Sequence, residues 1–271
     1  MPSHREKLDY LNGIARSRGY AHRYQRLLAE HDFDVLRAIN PVPVAVYVDK
    51  RLLGDGLKEL LLIVSFSCLR SPRYIIQAHI RKALSFGISG RQALEALELM
   101  FPDAGRIAFE NALLAWLDAG ADAQADRPPN EVSPRASAPA SAIAKTRASA
   151  EEKNTMDYQK ILAAHDPATL EIIERVPHEV YHRDRNLDAK TKELITIVAM
   201  TTLKAPEYVL QDHVRKALEL GATKEEILEA IELIIPVVGM PTFEHGLMAW
   251  ADVVGAKGLE PEEGAQFSRN P

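Results

Sequence analysis

The sequence lacks the residues that would crosslink the chain or carry it into a membrane. Cys68 is the single cysteine among 271 residues, which excludes an intramolecular disulfide, a Cys-x-x-Cys redox pair and a zinc site with several thiolates. The longest apolar run, residues 60–66 with one serine, is far shorter than the ~18 residues of a transmembrane helix. Residues 1–7 are charged where a signal peptide is apolar. We therefore expect a cytoplasmic protein in a reducing compartment.

An excess of charge of one sign is also missing. The chain has 38 acidic and 33 basic side chains and a formal charge of −5, so it has no field that would attract phosphate backbones or anionic lipid. We expect neither nucleic acid nor a membrane as a partner. Hydrophobic residues make up 46% of the chain, and the length corresponds to about two domains, each able to bury a core.

The sequence repeats itself at an offset of 134 residues. The register holds without a gap from Tyr24/Tyr158 to Trp116/Trp250, and roughly 41 of the 93 pairs are identical, against about 6% expected of random pairs. We infer a duplication. The predicted division is an N-terminal extension 1–20, a first repeat 21–118, an Ala/Pro/Ser-rich linker 119–155, a second repeat 156–256 and a C-terminal tail 257–271. The linker composition predicts a mobile tether.

Apolar residues recur at intervals of three and four, and glycine and proline stand at the ends of these stretches, so we predict an all-α fold without strands. In the second repeat a loop is predicted from Pro177 to Leu187, followed by a long helix capped by Asp188. Thr223 and Glu226 form a predicted capping box, and Ser89 is the matching cap in the first repeat. Predicted helices of the second repeat cover 156–164, 167–175, 189–203, 207–220, 227–234 and 241–253.

A histidine lies on the apolar face of one helix in each repeat. The neighbours of His213 at helical spacing are apolar, and His79 repeats the pattern. A buried imidazole needs polar partners, and the best candidates are Glu193 and Glu59, each near the start of an almost wholly apolar helix. A carboxylate beside a core can have a raised pKa, and a Glu–His pair can act as a general acid and base. The alternative is that glutamate only complements the helix dipole and histidine only belongs to the core.

A second face of the same helix carries candidate ligand-binding groups. A hydroxyl, an amide and a guanidinium there could hold a small anionic ligand, or the face could be solvated or could contact another subunit. These residues are Tyr208, Gln211 and Arg215, matched by Tyr74, Gln77 and Arg81. On the last helix Glu244 and its counterpart Glu110 are further candidates beside an apolar stripe that we expect to be core. The stripe consists of Phe243, Leu247 and Trp250, matched by Phe109, Leu113 and Trp116.

Two features suggest chemistry that we do not expect. His178 to His182 read His-Glu-Val-Tyr-His, the pattern of a helical zinc site, but they follow Pro177 in the predicted loop and the first repeat has valines there. We interpret the match as chance and expect no metal. Cys68 is expected to be a small core residue.

The order of these motifs resembles the carboxymuconolactone decarboxylase and alkylhydroperoxidase D-like superfamily. Lys-Glu-Leu opens a helix, and His-x-x-x-Ala-x-x-x-Gly, Thr-x-Glu-Glu-Ile and Gly-x-Pro follow; the second repeat carries them at Glu193, His213, Gly221, 223–227 and 239–241. The first repeat has Gly105-Arg-Ile instead of Gly-x-Pro. The resemblance implies two tandem helical-bundle repeats. The peroxidase branch uses Cys-x-x-Cys before the histidine, where this chain has Pro72 to Ile75 and Pro206 to Val209, so thiol peroxidase chemistry is not expected.

The remaining branch implies a carboxy-lyase that works without metal or organic cofactor. Its substrate class is a small carboxylated lactone of aromatic-compound catabolism. On this resemblance, His213 and His79 would deliver a proton or stabilise an oxyanion, Glu193 and Glu59 would orient them, and Arg215 or Tyr208 would hold a substrate carboxylate. A related isomerisation would use the same groups. The alternative is a non-catalytic, ligand-binding or structural helical protein. The resemblance also implies a homotrimer of pseudo-hexameric form.

Overall fold

The computed structural model describes residues 2–18, 21–49, 51–124, 157–183 and 185–256. Within these ranges the chain forms helices and no strand, which confirms the predicted all-α class. Most of the predicted linker and the whole C-terminal tail lie outside the described residues. Residues 119–124 continue from the first half into a short 3-10 helix, Asp122–Gln124. None of the helices described is long and apolar enough to cross a membrane.

The first half begins with three helices that pack on one another. They are α1 (His4–Arg18), α2 (Arg23–His31) and α3 (Phe33–Ile39). Ala29, Phe33 and Leu36 form a small apolar cluster of their own, separate from the main core. A single turn, Pro41–Pro43, then leads into a π-helical segment, π1 (Val44–Val48).

Four longer helices complete the first half. They are α4 (Asp55–Cys68), α5 (Arg73–Ser85), α6 (Gly90–Leu99) and α7 (Phe101–Asp118). Ser89 caps α6 by accepting from the Gln92 amide, while the Gln92 side chain accepts from the Ser89 amide. Gly105, at φ +77°, interrupts α7, because only glycine adopts that backbone conformation without strain.

The second half repeats the order of the first from α2 onward, at positions 134 residues later. It contains α8 (Asp157–His165), α9 (Pro167–Pro177), π2 (His178–His182), α10 (Ala189–Leu203), α11 (Glu207–Glu219), α12 (Lys224–Leu233), the turn Ile235–Val238 and α13 (Met240–Val254). Asp188 caps α10, and the box of Thr223 and Glu226 caps α12, as predicted. We propose that the two halves are repeats with the boundaries predicted above.

One part of the predicted loop in the second half is helical. His178–His182 form π2 instead of the loop predicted for Pro177 to Leu187. The reason is a tertiary contact: the Tyr181 hydroxyl donates to the carbonyl oxygen of Leu99 in the other half, at 3.0 Å. A contact between distant parts of the chain can outweigh the local preference for a loop that the sequence indicates.

The two halves share a single hydrophobic core. The central helices α4 and α10 pack against each other, and residues 60–64 and 194–199 on them are almost completely buried. The length arithmetic predicts two separate cores, whereas the main buried cluster runs through both halves. Trp116 lies in this cluster, and Phe109, Phe243 and Trp250 pack against it, which confirms the aromatic stripe as core.

Candidate functional site

The predicted glutamate–histidine pair is present in the first half. Glu59 lies near the start of α4 and His79 in the middle of α5, and the two helices pack side by side. His79 Nδ1 lies 2.7 Å from Glu59 Oε2. The Phe66 ring packs against the imidazole with centroids 4.8 Å apart. Because Nδ1 is bonded to the carboxylate, Nε2 is the ring nitrogen left for a ligand.

A lysine makes a second contact with the same carboxylate. Lys82 Nζ lies 2.8 Å from Glu59 Oε1, and the lysine also lies over the Phe86 ring. Burial acts to raise the pKa of Glu59, but the hydrogen bond and charge of His79, together with Lys82, outweigh burial and lower it. The raised pKa expected from the apolar helix is therefore wrong for Glu59, which is held as a carboxylate.

A cavity of about 740 Å³ opens beside this pair. Its size lies within the range of small-molecule sites. Aromatic and aliphatic side chains form much of the wall, with the polar groups of the pair among them. It is lined by Ser17, His22, Arg23, Tyr24, Leu27, Pro43, Tyr47, Val48, Asp55, Lys58, Glu59, Leu62, Phe66, Tyr74, Ile75, His79, Lys82, Phe86 and Pro236. Segments from the N-terminal helices and one residue of the second half thus contribute to the wall.

The second half has the same pair with different neighbours. His213 Nδ1 lies 2.7 Å from Glu193 Oε2, and both side chains are about one-sixth exposed. The Tyr181 ring lies beside the imidazole, with centroids 6.5 Å apart. The Tyr181 hydroxyl donates to Asp103 Oδ2, at 2.9 Å, so a carboxylate of the first half reaches the second centre.

The ionisable groups around Tyr181 titrate away from their usual ranges. Burial raises the pKa of Asp103, although the hydrogen bond from Tyr181 and the charge of His213 act to lower it. Burial and the neighbouring Asp103 also raise the pKa of the Tyr181 hydroxyl. Burial, with a smaller contribution from Asp103, raises the pKa of the Cys68 thiol to about 12. Cys68 is a buried core residue, as predicted.

Two buried ion pairs hold the halves together next to these centres. Lys58 Nζ lies 3.2 Å from Glu229 Oε1, and at the matching positions Lys192 Nζ lies 2.9 Å from Glu95 Oε1. Each glutamate also accepts backbone amides from the segment before the opposite central helix: Glu229 from Leu52 and Leu53, and Glu95 from Asn186 and Leu187. Both centres therefore depend on contacts between the halves.

The structure separates the predicted ligand-binding residues from the Glu–His pairs, with one exception. Tyr74 lines the cavity, whereas Gln77 and Arg81 donate to the carbonyl oxygen of Asp118. In the second half Gln211 bonds to Glu207 and Asp252, Arg215 bonds to Asp212, and Tyr208 is half exposed. Glu110 is exposed and pairs with Arg106 one turn away, and Glu244 is exposed on α13. Most of this helix face thus makes contacts along the outer surface.

Several residues at the centres have no assigned role in the sequence analysis. They are Lys82, Tyr181 with its counterpart Tyr47, and Asp103. Lys82 and Tyr47 carry a signal that could have revealed them, because both are identical in the two repeats. Asp103 carries none, since Val237 stands at its matching position.

The five residues of the zinc-like pattern form the whole of π2. The rings of His178 and His182 lie with centroids 6.2 Å apart, and His178 pairs with the adjacent Glu179. In the described ranges no group of three or more histidine, cysteine, aspartate or glutamate side chains is placed to hold a metal ion.

Comparisons with known proteins give one family match and two relatives of similar sequence. The sequence profile of the carboxymuconolactone decarboxylase family matches residues 167–252. Two uncharacterized proteins of Methanocaldococcus jannaschii are similar over 89 residues each: one is 29% identical over 81% of its own length, the other 31% identical over 84%. These matches cover 33% and 32% of the chain.

A solved structure matches almost the whole fold. It comes from Burkholderia xenovorans and is assigned as a gamma-carboxymuconolactone decarboxylase subunit. The superposition has a TM-score of 0.57 and covers 94% of this chain and 97% of the other, with 20% sequence identity. At this level of identity the likeness shows the fold, and it extends beyond the profile match to both halves.

Proposed function

The chain belongs to the carboxymuconolactone decarboxylase family, and we propose from this and from its Glu–His pairs that it is a cofactor-free carboxy-lyase for a small carboxylated lactone. The observation that carries the proposal is the 2.7 Å contact of His79 Nδ1 with Glu59 at the wall of a cavity of small-molecule size. The contact orients the imidazole and leaves its other nitrogen towards the ligand space.

The reaction that suits these groups is decarboxylation of a γ-carboxylated butenolide. The bond between the ring carbon and the carboxylate breaks, carbon dioxide leaves, and the electron pair moves through the ring double bond onto the lactone carbonyl. The resulting dienolate takes one proton at carbon from the imidazolium. Glu59 and Glu193 hold the imidazole rings in orientation for this transfer through their contacts with Nδ1. An isomerisation of a lactone would need the same proton transfer without loss of carbon dioxide.

Release of carbon dioxide from a γ-carboxylated butenolide tests this proposal. The double variant His79→Gln/His213→Gln should lose at least about 100-fold in turnover, the usual contribution of general acid–base catalysis. The matched control is His31→Gln/His165→Gln, because that histidine pair is also identical in the two halves and His31 is largely exposed. Far-UV circular dichroism checks the fold.

Three outcomes separate the interpretations. Loss of turnover in the double variant and not in the control supports the acid–base role. Full turnover in the folded double variant contradicts it. Binding of the lactone by the unmodified protein without any release of carbon dioxide would instead favour the ligand-binding alternative.

We also propose that the protein assembles as a homotrimer of pseudo-hexameric form. Apolar side chains on the outer side of α7 support an interface between copies: Ile107, Leu114 and Leu117 are exposed in the single chain. Light scattering should give three times the mass of the chain. Replacing Ile107 and Leu117 with serine should lower that mass, whereas a monomeric unmodified protein would contradict the assembly.

A further inference from the structure

The two Glu–His pairs have the same geometry but differ in the charges around them. Both have the 2.7 Å contact between Nδ1 and the carboxylate. Arg23, the first residue of α2, is matched by Asp157, the first residue of α8. Asp103 of the first half reaches the second centre, and its matching residue in the second half is the uncharged Val237. Two positions change the charge in the opposite sense: Asp55 is matched by Ala189, and Asp49 is matched by Arg183, whose side chain is paired with Glu179.

The first centre is arranged to receive an anion. Lys82 compensates the charge of Glu59 through its 2.8 Å contact, so His79 does not lie against an uncompensated carboxylate. Arg23 lines the same cavity from α2. Lys58, a third cation in the wall, is already paired with Glu229. A carboxylate entering the cavity therefore meets Arg23 and Lys82, since the Lys82 side chain stays 41% exposed beside Glu59, and it also meets one opposing charge, Asp55. Phe66 and Phe86 provide apolar surface for a ring.

The second centre keeps a lysine, Lys216, at the position of Lys82, but it has Asp157 at the position of Arg23 and an additional carboxylate, Asp103, where the first centre has Val237. Asp103 accepts from the Tyr181 hydroxyl at 2.9 Å, and the Tyr181 ring lies beside the His213 imidazole, with centroids 6.5 Å apart. Tyr47, the counterpart of Tyr181, lies in the first cavity with Pro236 of the opposite half, next to Val237. A negative ligand at His213 would therefore be repelled by Asp103 as well as by Glu193.

We propose that the cavity of the first half is the site for the carboxylated ligand and that Asp103 makes the second centre reject anions. Arg23, which has an acidic residue as its counterpart, is then the residue that gives the first centre its preference for a carboxylate, with Lys82 beside it. This inference rests on the proposed function for the choice of ligand, but it concerns binding and does not require turnover.

Calorimetric titration with a saturated γ-carboxylated lactone tests the proposal. This probe lacks the ring double bond, so it has no path for the electron pair and is not consumed. We expect one molecule bound per chain. Its neutral methyl ester, used as the second probe, should bind at least about tenfold more weakly because it offers no charge to Arg23 or Lys82.

Matched exchanges between the halves locate the site. Arg23→Asp introduces the residue of the second half and should weaken binding of the acid at least about tenfold, while binding of the ester changes little. Val237→Asp places a negative charge next to Pro236, on the side of the cavity formed by the second half, and should also weaken binding of the acid at least about tenfold. Asp103→Val should leave the first binding step unchanged and add a second, weaker one. Circular dichroism of each variant monitors the fold, and Arg23→Gln is a milder second variant at an exposed position.

The contrary results are equally definite. Two equal binding steps in the unmodified protein would overturn the proposal, and so would the absence of binding or indifference to Arg23→Asp and Arg23→Gln. One bound acid per chain without release of carbon dioxide from the reactive butenolide would retain this proposal and contradict the proposed decarboxylase activity.

Discussion

Lys58 and Glu229 form a buried ion pair across the two halves of the chain, with Nζ 3.2 Å from Oε1 and both side chains at most 3% exposed. Lys58 also donates to the carbonyl oxygen of Asp49, and Glu229 accepts two backbone amides. Both charged groups are thus surrounded by partners, which is the condition under which a buried pair is tolerated. The pair fixes the segment before α4 against α12 and so holds one wall of the cavity.

Glu229→Ala is expected to lower the free energy of unfolding by about 3–5 kcal/mol, because it leaves the Lys58 ammonium buried without its counter-charge. Urea unfolding followed by circular dichroism measures the change. Glu95→Ala, which removes the matching partner of Lys192, should have a similar effect.

The control is the neighbouring cross-half pair of Arg51 and Glu232, whose side chains are 35% and 25% exposed. Arg51→Ala should cost less, about 1 kcal/mol, since a pair with partly exposed side chains contributes less than a fully buried one. Equal effects of Glu229→Ala and Arg51→Ala would contradict the assignment of a special role to burial.

The contact of Gly246 on α13 with Thr201 on α10 predicts a second effect on the free energy of unfolding. A Cβ added to Gly246 would lie 2.6 Å from Thr201 Cγ2, closer than any real contact. The first half has Ala112 at the matching position, and there Ser67 replaces the threonine and its methyl group. Each half therefore combines one larger and one smaller residue at this contact.

Gly246→Ala should destabilise the protein by about 1–3 kcal/mol through overpacking. The double variant Gly246→Ala/Thr201→Ser reproduces the first-half combination and should recover most of the loss. Thermal unfolding of the four proteins in this cycle measures the coupling. Additive effects of the two changes would show that the threonine methyl group is not the obstacle.

The sequence predicts the helices and the Glu–His pairs because their signals are local. His213 shows its apolar surroundings through residues three and four positions away, and α12 shows its start through a capping box. The contact of His213 with Glu193 could be inferred because one acid lies near the start of the adjacent apolar helix.

The contacts between the two halves could not be predicted from a single sequence. The pattern shows that Lys58 and Glu229 are each identical to their counterparts, but nothing in it states that the lysine of one half meets the glutamate of the other. The same limit applies to Asp103, whose contact with Tyr181 accompanies the packing of π2 against α6 of the other half. The outward contacts of Gln77 and Arg81 with Asp118 were also hidden, because a helical face gives no indication of its neighbour.

The burial of Cys68 gives a prediction about thiol reactivity. Its pKa is raised to about 12, chiefly because burial disfavours the thiolate, so almost no thiolate exists at pH 8. Alkylation by iodoacetamide in the native protein should be at least about 100-fold slower than in the urea-unfolded protein. Mass spectrometry measures both rates. A native rate near the unfolded rate would mean that Cys68 is accessible.

The lowered pKa of Glu59 predicts how stability depends on pH. Burial acts to raise this pKa, but His79 and Lys82 reverse the shift, so the folded protein holds the carboxylate more tightly ionised than the unfolded chain, whose value is near 4.5. The stabilisation is therefore complete above that value and is lost as the pH falls through the folded pKa. Glu59→Gln removes the titrating group, so the stability difference between the unmodified protein and this variant should shrink as the pH is lowered from 7 to below 4.5. Urea midpoints across this range, with the exposed Glu110→Gln as control, measure the difference. A constant difference from neutral to acidic pH would contradict the pairing of Glu59 with its two cations.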